Sequence, residues 1–371
     1  MRFGSFLVIV SFLVMFGTNS LAAADKQFIQ LTGWGGGKAE DVVSKAAETG
    51  FTELVVHHEK HENFTNFIKL GKQHGIGIYA WLFLGDIPAW EKAFPNLKPP
   101  LQVMNAAENK ALERIQSDKT FGKSQYQSGG EPVNKIEVLT TPLLCLHDPR
   151  VLEAFKQQIN EMLSVPGVKG VAFDYIGYQN YRCCYCEHSM KLFNKWNKNK
   201  PGVPYEQNLE MFSLETLVRF NNELTGYARS INPKAKIITH VYPVFLPEPL
   251  YGNRLDVDVC GQTAAWFFKP FWSYDKITKY SRVIFGEEKK YFQNSEGSAL
   301  IGIFSRSKKH AAKSPERIRK ELQAILDGGG DRVQVCSMND VLKDENIKKV
   351  FKNFFRKNDK QVEQKDALDK K

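Results

Sequence analysis

Apolar positions along the chain follow two alternating patterns. Short continuous apolar runs alternate with longer stretches whose apolar positions return every three or four residues. Continuous runs predict strands buried on both faces, and the longer period predicts helices with one buried side. The predicted strands are Phe28–Trp34, Phe51–His57, Ile76–Leu84, Val168–Ile176, Lys236–Tyr242, Val257–Ala264, Ala299–Phe304 and Asp331–Ser337. Helices are expected over Ala39–Glu48, Phe64–His74, Pro149–Leu163, Met190–Trp196, Leu214–Ile231, Tyr274–Phe285, Pro315–Leu326 and Ile347–Phe355. Asp148-Pro149 and Ser314-Pro315 mark two helix starts. In each, a capping oxygen precedes a proline whose missing N–H is not needed in the first turn. Gly85 to Leu146, rich in Lys, Asn, Gln and Gly, breaks the rhythm and reads as a long irregular insertion after the third strand.

Eight strands alternating with helices predict the α/β class and, by count, a closed (β/α)8 TIM barrel. An open doubly wound sheet is the alternative. The ends of the chain read differently. Met1-Arg2, the apolar run Phe6–Phe16 and Ala22-Ala23-Ala24 form a signal-peptide pattern over residues 1–24. The expected location is therefore secreted or periplasmic. The barrel is expected over 25–357, and the polar 358–371 stretch reads as a disordered tail. The apolar run is shorter than the ~20 residues that span a bilayer, and no later segment reaches that length, so no stable membrane insertion is expected after cleavage.

Composition narrows the class. The 371 residues are 42% hydrophobic and 25% charged, which excludes a mostly disordered chain. Loss of Arg2 with the leader takes the formal net charge from +10 to +9. Such a surface attracts polyanions, and for an exported protein sulfated or uronic-acid polysaccharides are the natural class. No nucleic-acid module is present, so nucleic acid is not expected as a partner. Gly33 to Ala39 lacks the spacing and the Ser/Thr of a phosphate loop. There is no dinucleotide fingerprint, no nucleophile elbow, and His58-Glu59-Lys60-His61 is one residue short of a zincin motif.

In a barrel, functional groups sit at the C-terminal strand ends. Those ends and the loops beyond them hold Trp34, His57, His58, Glu59, Trp81, Asp174, Tyr175, His240, Tyr242, Gln262, Arg306 and Asp340. Aromatic faces stack on sugar rings, and imidazole, amide and guanidinium groups satisfy hydroxyls, so this set points to a carbohydrate substrate. Asp174 stands out because it ends an apolar strand, where a carboxylate is costly without a partner or a task. Glycoside hydrolysis needs two carboxyl groups flanking the scissile bond. Glu59 and Asp340 are the candidates for the second, because the fifth strand offers His240 and Tyr242 instead. No cofactor is required for such catalysis.

Gly167 to Ile176 resembles the fourth-strand signature of barrel glycoside hydrolases, and Gly77-Ile78-Tyr79-Ala80-Trp81 their third strand. Leu144 to Val151 is similar to the helix start between them. The resemblance spans about Ile76 to Trp196 and implies that Asp174 is a nucleophile or a charge stabiliser beside the sugar. Tyr181 to Trp196, with Cys183, Cys184 and Cys186, resembles the zinc-bearing loop of family 42 β-galactosidases. That likeness implies a structural zinc held by Cys145, Cys184 and Cys186, completed by Cys183 or His188. Ser189 stands where the family has its last cysteine. An exported location also favours one or two disulfides here. Two other functions stay open: a carbohydrate-binding protein on a degenerate barrel, and a metal-dependent hydrolase built on the histidine cluster.

Overall fold

A computed structural model of the chain describes residues 28–117, 138–139, 141–241, 254–267, 271–287, 295–303 and 312–355. The expected signal peptide and tail, residues 118–137 of the insertion, Tyr242 and Arg306 lie outside the described residues.

Eight parallel strands close into a barrel in sequence order. They are β1 (Gln30–Trp34), β2 (Glu53–Val56), β3 (Gly77–Phe83), β4 (Gly170–Asp174), β5 (Lys236–Val241), β6 (Val259–Ala265), β7 (Glu296–Gly302) and β8 (Arg332–Cys336). The seam joins β1 to β8, from Gln30 opposite Arg332 to Trp34 opposite Cys336. The helices outside are α1 (Ala39–Thr49), α2 (His61–His74), α3 (Ile87–Ala93), α4 (Ala106–Ser117), α5 (Pro149–Leu163), α6 (Glu187–Asn197), α7 (Tyr205–Ile231), α8 (Tyr274–Glu287), α9 (Pro315–Asp327), α10 (Met338–Lys343) and α11 (Glu345–Phe355). Among the described residues, no helix is long and apolar enough to cross a membrane.

The TIM barrel is as the periodicity predicts, with three corrections in its loops. The insertion is not wholly irregular, because α3 and α4 form within it. The Asp86 side chain caps α3 by accepting from the Ala89 N–H at 3.1 Å, with a proline in the first turn. A short α10 follows β8, so Asp340 lies on a helix. The helix after the cysteine loop begins at Glu187, and the next begins at Tyr205 rather than Leu214.

The barrel's two ends differ in chemistry. At the N-terminal end of β2, Glu53 is buried inside the barrel. It accepts from Thr32 at 2.9 Å and Tyr79 at 3.2 Å, and is also bonded to Gln30 and Lys169. A buried carboxylate needs such donors. This cluster closes the bottom of the barrel, so the carboxylate and aromatic groups at the opposite end face a separate mouth.

Candidate active site

Side chains alternate inward and outward along each barrel strand. The inward set at the C-terminal ends includes Trp34, Trp81, Asp174, His240 and Thr263, and His57 continues it beyond β2. Asp174 is the last residue of β4 and is 3% exposed. Its Oδ1 lies 3.2 Å from His240 Nδ1 and accepts the Tyr175 N–H at 3.0 Å. His240 Nε2 lies 2.9 Å from the Thr263 hydroxyl. The two contacts hold the ring in one orientation. Tyr175 returns its amide to Asp174 by adopting φ 54°, in the left-handed region. For a bulky residue this costs on the order of 1–3 kcal/mol, and such strain clusters at functional sites.

Aromatic rings wall the mouth. Trp34 meets Trp81 edge-on with centroids 5.4 Å apart, and Trp81 stacks on His57 at 4.6 Å. The His240 ring lies 6.1 Å from Trp34 and 6.3 Å from Phe267. The Trp34 indole N–H donates to Gln334 Oε1 at 2.9 Å, deep in the barrel. Gln334 fits only because its neighbour is glycine: a Cβ on Gly261 would stand 2.3 Å from Gln334 Nε2. Sequence reasoning missed both Gln334 and Thr263. The available signal was a polar residue between Val333 and Val335 on a buried strand.

The expected sugar-binding histidines separate. His57 faces the mouth, with its Nδ1 3.4 Å from Glu59. The hydrogen bond to Glu59 raises the His57 pKa against the effect of burial, helped by the charges of Glu59, Asp86 and Asp174. Burial alone would raise Glu59, but the hydrogen bond from His57, a backbone hydrogen bond and the imidazole charges outweigh it and hold its carboxyl low. His58 turns away, edge-on to Phe64, and burial lowers its pKa. Gln262 is buried but follows inward-facing Gly261, so alternation turns it toward the helices.

Of the two proposed second carboxylates, Glu59 is half exposed and engaged with His57. Asp340 is buried in the first turn of α10. Its neighbour Asn339 clasps the β1–α1 turn, accepting from Gly36 N–H at 3.1 Å and donating to Gly36 O at 2.7 Å. Burial first, then the negative charges of Asp174 and Asp340, push the Cys336 thiol up.

The cysteine loop forms a second centre. Cys145 Sγ is 3.8 Å from Cys184 Sγ and 3.7 Å from Cys186 Sγ. A zinc–sulfur bond of ~2.3 Å sets the edges of a tetrahedron at about 3.8 Å. The Ser189 hydroxyl lies beside them, 3.3 Å from Cys145 Sγ and 3.0 Å from Cys186 Sγ. Backbone N–H groups of Val103 and Ser189 point at Cys184 and Cys186, each at 3.4 Å, as suits thiolates. Cys186 caps α6, and the thiols of Cys145 and Cys184 with Ser189 outweigh its burial and lower its pKa. The expected fourth ligands are elsewhere. Cys183 packs with Phe193 and Leu209, and His188 Nε2 lies 3.0 Å from the His147 carbonyl. The six cysteines carry free thiols in this structure. Among the described residues, these three cysteines are the sole cluster of metal-ligating side chains, and the histidines around His57 do not converge.

No family model matches the chain, and no curated protein matches it by sequence. Solved structures do match. A β-galactosidase from the psychrophilic Marinomonas ef1 superposes with a TM-score of 0.57 at 9% identity, over 91% of this chain and 60% of that one. α-L-Fucosidase isoenzyme 2 from Paenibacillus thiaminolyticus gives 0.52 at 14%, over 92% and 50%. The glycoside hydrolase domain of PgaB (BpsB) from Bordetella bronchiseptica gives 0.53 at 8%, over 88% and 99%. The chain thus spans half to three-fifths of the first two and nearly all of the third. At these identities the likeness is one of fold, that of TIM-barrel glycoside hydrolases, and it selects no single family.

Proposed function

We propose that this protein hydrolyses glycosidic bonds of an oligo- or polysaccharide at the mouth of its barrel. Asp174 serves as nucleophile or charge stabiliser, and Asp340 is the second carboxyl group. The observation that carries the reading is the buried Asp174 carboxylate, fixed through Oδ1 by His240 and the Tyr175 amide beneath a wall of Trp34, Trp81 and His57. Glycosidic cleavage passes through an oxocarbenium-like state. A preorganised carboxylate in a site of low polarity stabilises that positive charge strongly. Among the described residues both donors meet Oδ1, which leaves Oδ2 as the oxygen for the sugar. The barrel glycoside hydrolases that share the fold support the same reaction class.

Two further parts belong to the proposal. The chain is exported by its 1–24 leader. Cys145, Cys184 and Cys186, with the Ser189 hydroxyl, hold a structural zinc that ties the insertion to α6, and catalysis itself needs no cofactor. A second reading, a binding protein on a barrel without hydrolysis, draws support from His240 standing where a carboxylate would complete a pair at β5.

Reducing-end release from neutral and anionic glycans tests the reading, using protein from Asp25 onward and its Asp174→Asn variant. Release by the unmodified chain and a loss of at least about 10³-fold in the variant, with folding intact, is the expected result. Equal release by both proteins refutes the role of Asp174. Glycan binding by both, without release by either, establishes the second reading.

A further inference from the structure

Beside the mouth lies a cleft of about 870 Å³. One wall is the β1–α1 turn at Gly36 and Gly37; the other is the start of α2, with Phe67 as an apolar floor. Sites that enclose small molecules occupy about 300–1,000 Å³. His57 belongs to both spaces, lining the cleft while its ring stacks on Trp81 of the mouth wall. A glycan leaving the mouth past His57 runs into the cleft. Lys38, Lys60, Glu40, Glu59 and Glu62 all line it. Charges of both signs are interleaved, and two are already engaged: Glu40 accepts from Asn66 at 3.1 Å, and Glu59 pairs with His57 at 3.4 Å. Such a lining offers donors and acceptors for hydroxyls but no one-signed field to draw in a polyanion.

We propose that this cleft is an accessory subsite for neutral sugar units of the same glycan whose scissile bond sits at Asp174. The inference rests on the glycosidase reading of the mouth and names its substrate class: a neutral oligosaccharide long enough to reach past His57. The net positive charge of the whole chain does not extend to this cleft.

Gly36→Leu is the probe. A Cβ there meets only His57 Cδ2, at 3.7 Å, and the backbone is not in the left-handed region, so the side chain is accepted and grows into the cleft. Asn66→Trp blocks the facing wall from half-exposed α2 surface. Calorimetry would compare neutral gluco-, galacto- and manno-oligosaccharides, dimers to hexamers, with a uronic-acid hexamer. The expected result is that one neutral series gains about tenfold in affinity with length, and that both variants lose the gain. A gain that survives in both variants, a preference for the uronic-acid hexamer, or no binding by any probe overturns the subsite. Hydrolysis is scored separately. A length gain lost in the variants of a protein that cleaves nothing keeps the subsite and removes the hydrolase. Cleavage abolished by Asp174→Asn, with binding indifferent to Gly36→Leu, keeps the hydrolase and removes the subsite.

Discussion

Gly261→Ala tests whether barrel packing sets the aromatic wall. The added Cβ would stand 2.3–2.4 Å from three side-chain atoms of Gln334, where ordinary contact is 3.4 Å or more. Gln334 is fully buried and has no route to solvent, so its amide must shift by about 1 Å within a packed interior. Overpacking of this kind costs about 1–3 kcal/mol. The shift also breaks the 2.9 Å bond from Trp34 Nε1, and a buried indole N–H without a partner costs about 1–3 kcal/mol more. The sum is about 2–6 kcal/mol. For a barrel of this length each kcal/mol moves the thermal midpoint by roughly 1.5 °C, so a fall of roughly 3–9 °C is expected. Differential scanning calorimetry reads it, and tryptophan fluorescence reports the displaced Trp34. Gln334→Ala removes the obstacle, so the double variant should be more stable than Gly261→Ala alone. An unchanged midpoint in Gly261→Ala, or strictly additive losses in the double variant, would refute the reasoning.

Other outcomes follow from single contacts. Lys313 and Glu321 form an ion pair at 2.7 Å with both side chains at 0% exposure, and Arg317 adds a second contact at 2.8 Å. Glu321→Leu leaves a buried ammonium and should cost about 3–5 kcal/mol in chemical denaturation, while Lys313→Met with Glu321→Leu recovers most of it. Glu59→Gln should lower the His57 midpoint in an NMR titration, and an unmoved midpoint would break the link. His57 is raised and Glu59 lowered, so this pair's contribution to stability is lost as pH rises through the folded His57 value and again as pH falls through the folded Glu59 value. Both groups are half exposed, so that contribution is small. Purified protein should carry about one zinc per chain, and Ser189→Cys should tighten it in competition with a chromogenic chelator. Stoichiometric loss of thiols to disulfide, with no zinc bound, would end that assignment.

The strands were legible because parallel strands buried on both faces leave unbroken apolar runs, as at Gly170-Val171-Ala172-Phe173. The same property hid the interior. When both faces are buried, hydropathy does not say which residues point into the barrel, so Gln262 was expected at the mouth while Gln334 and Thr263 passed unnoticed. Short α3 and α10 were invisible to a periodicity that needs several turns, although Asp86 and the following proline marked the first of them. The polar opening turn of α7, with Glu206 and Asn208, concealed its true start. Asp174 was legible as a carboxylate closing an apolar strand. Its grip by His240 was not, because the two residues lie 66 positions apart and meet only through the β4–β5 neighbourhood.

The seam between β1 and β8 sets the order of events during synthesis. The first strand to leave the ribosome has one permanent neighbour, β2, and waits for β8 to supply the other. Phe28 waits as well, since its ring partners are Phe354 and Phe355 of the last helix. Until Arg332–Cys336 has emerged, a nascent chain presents two open sheet edges, one on β1 and one on β7. Open edges recruit other strands. A message cut short before that point therefore encodes an aggregation-prone product rather than a smaller working barrel.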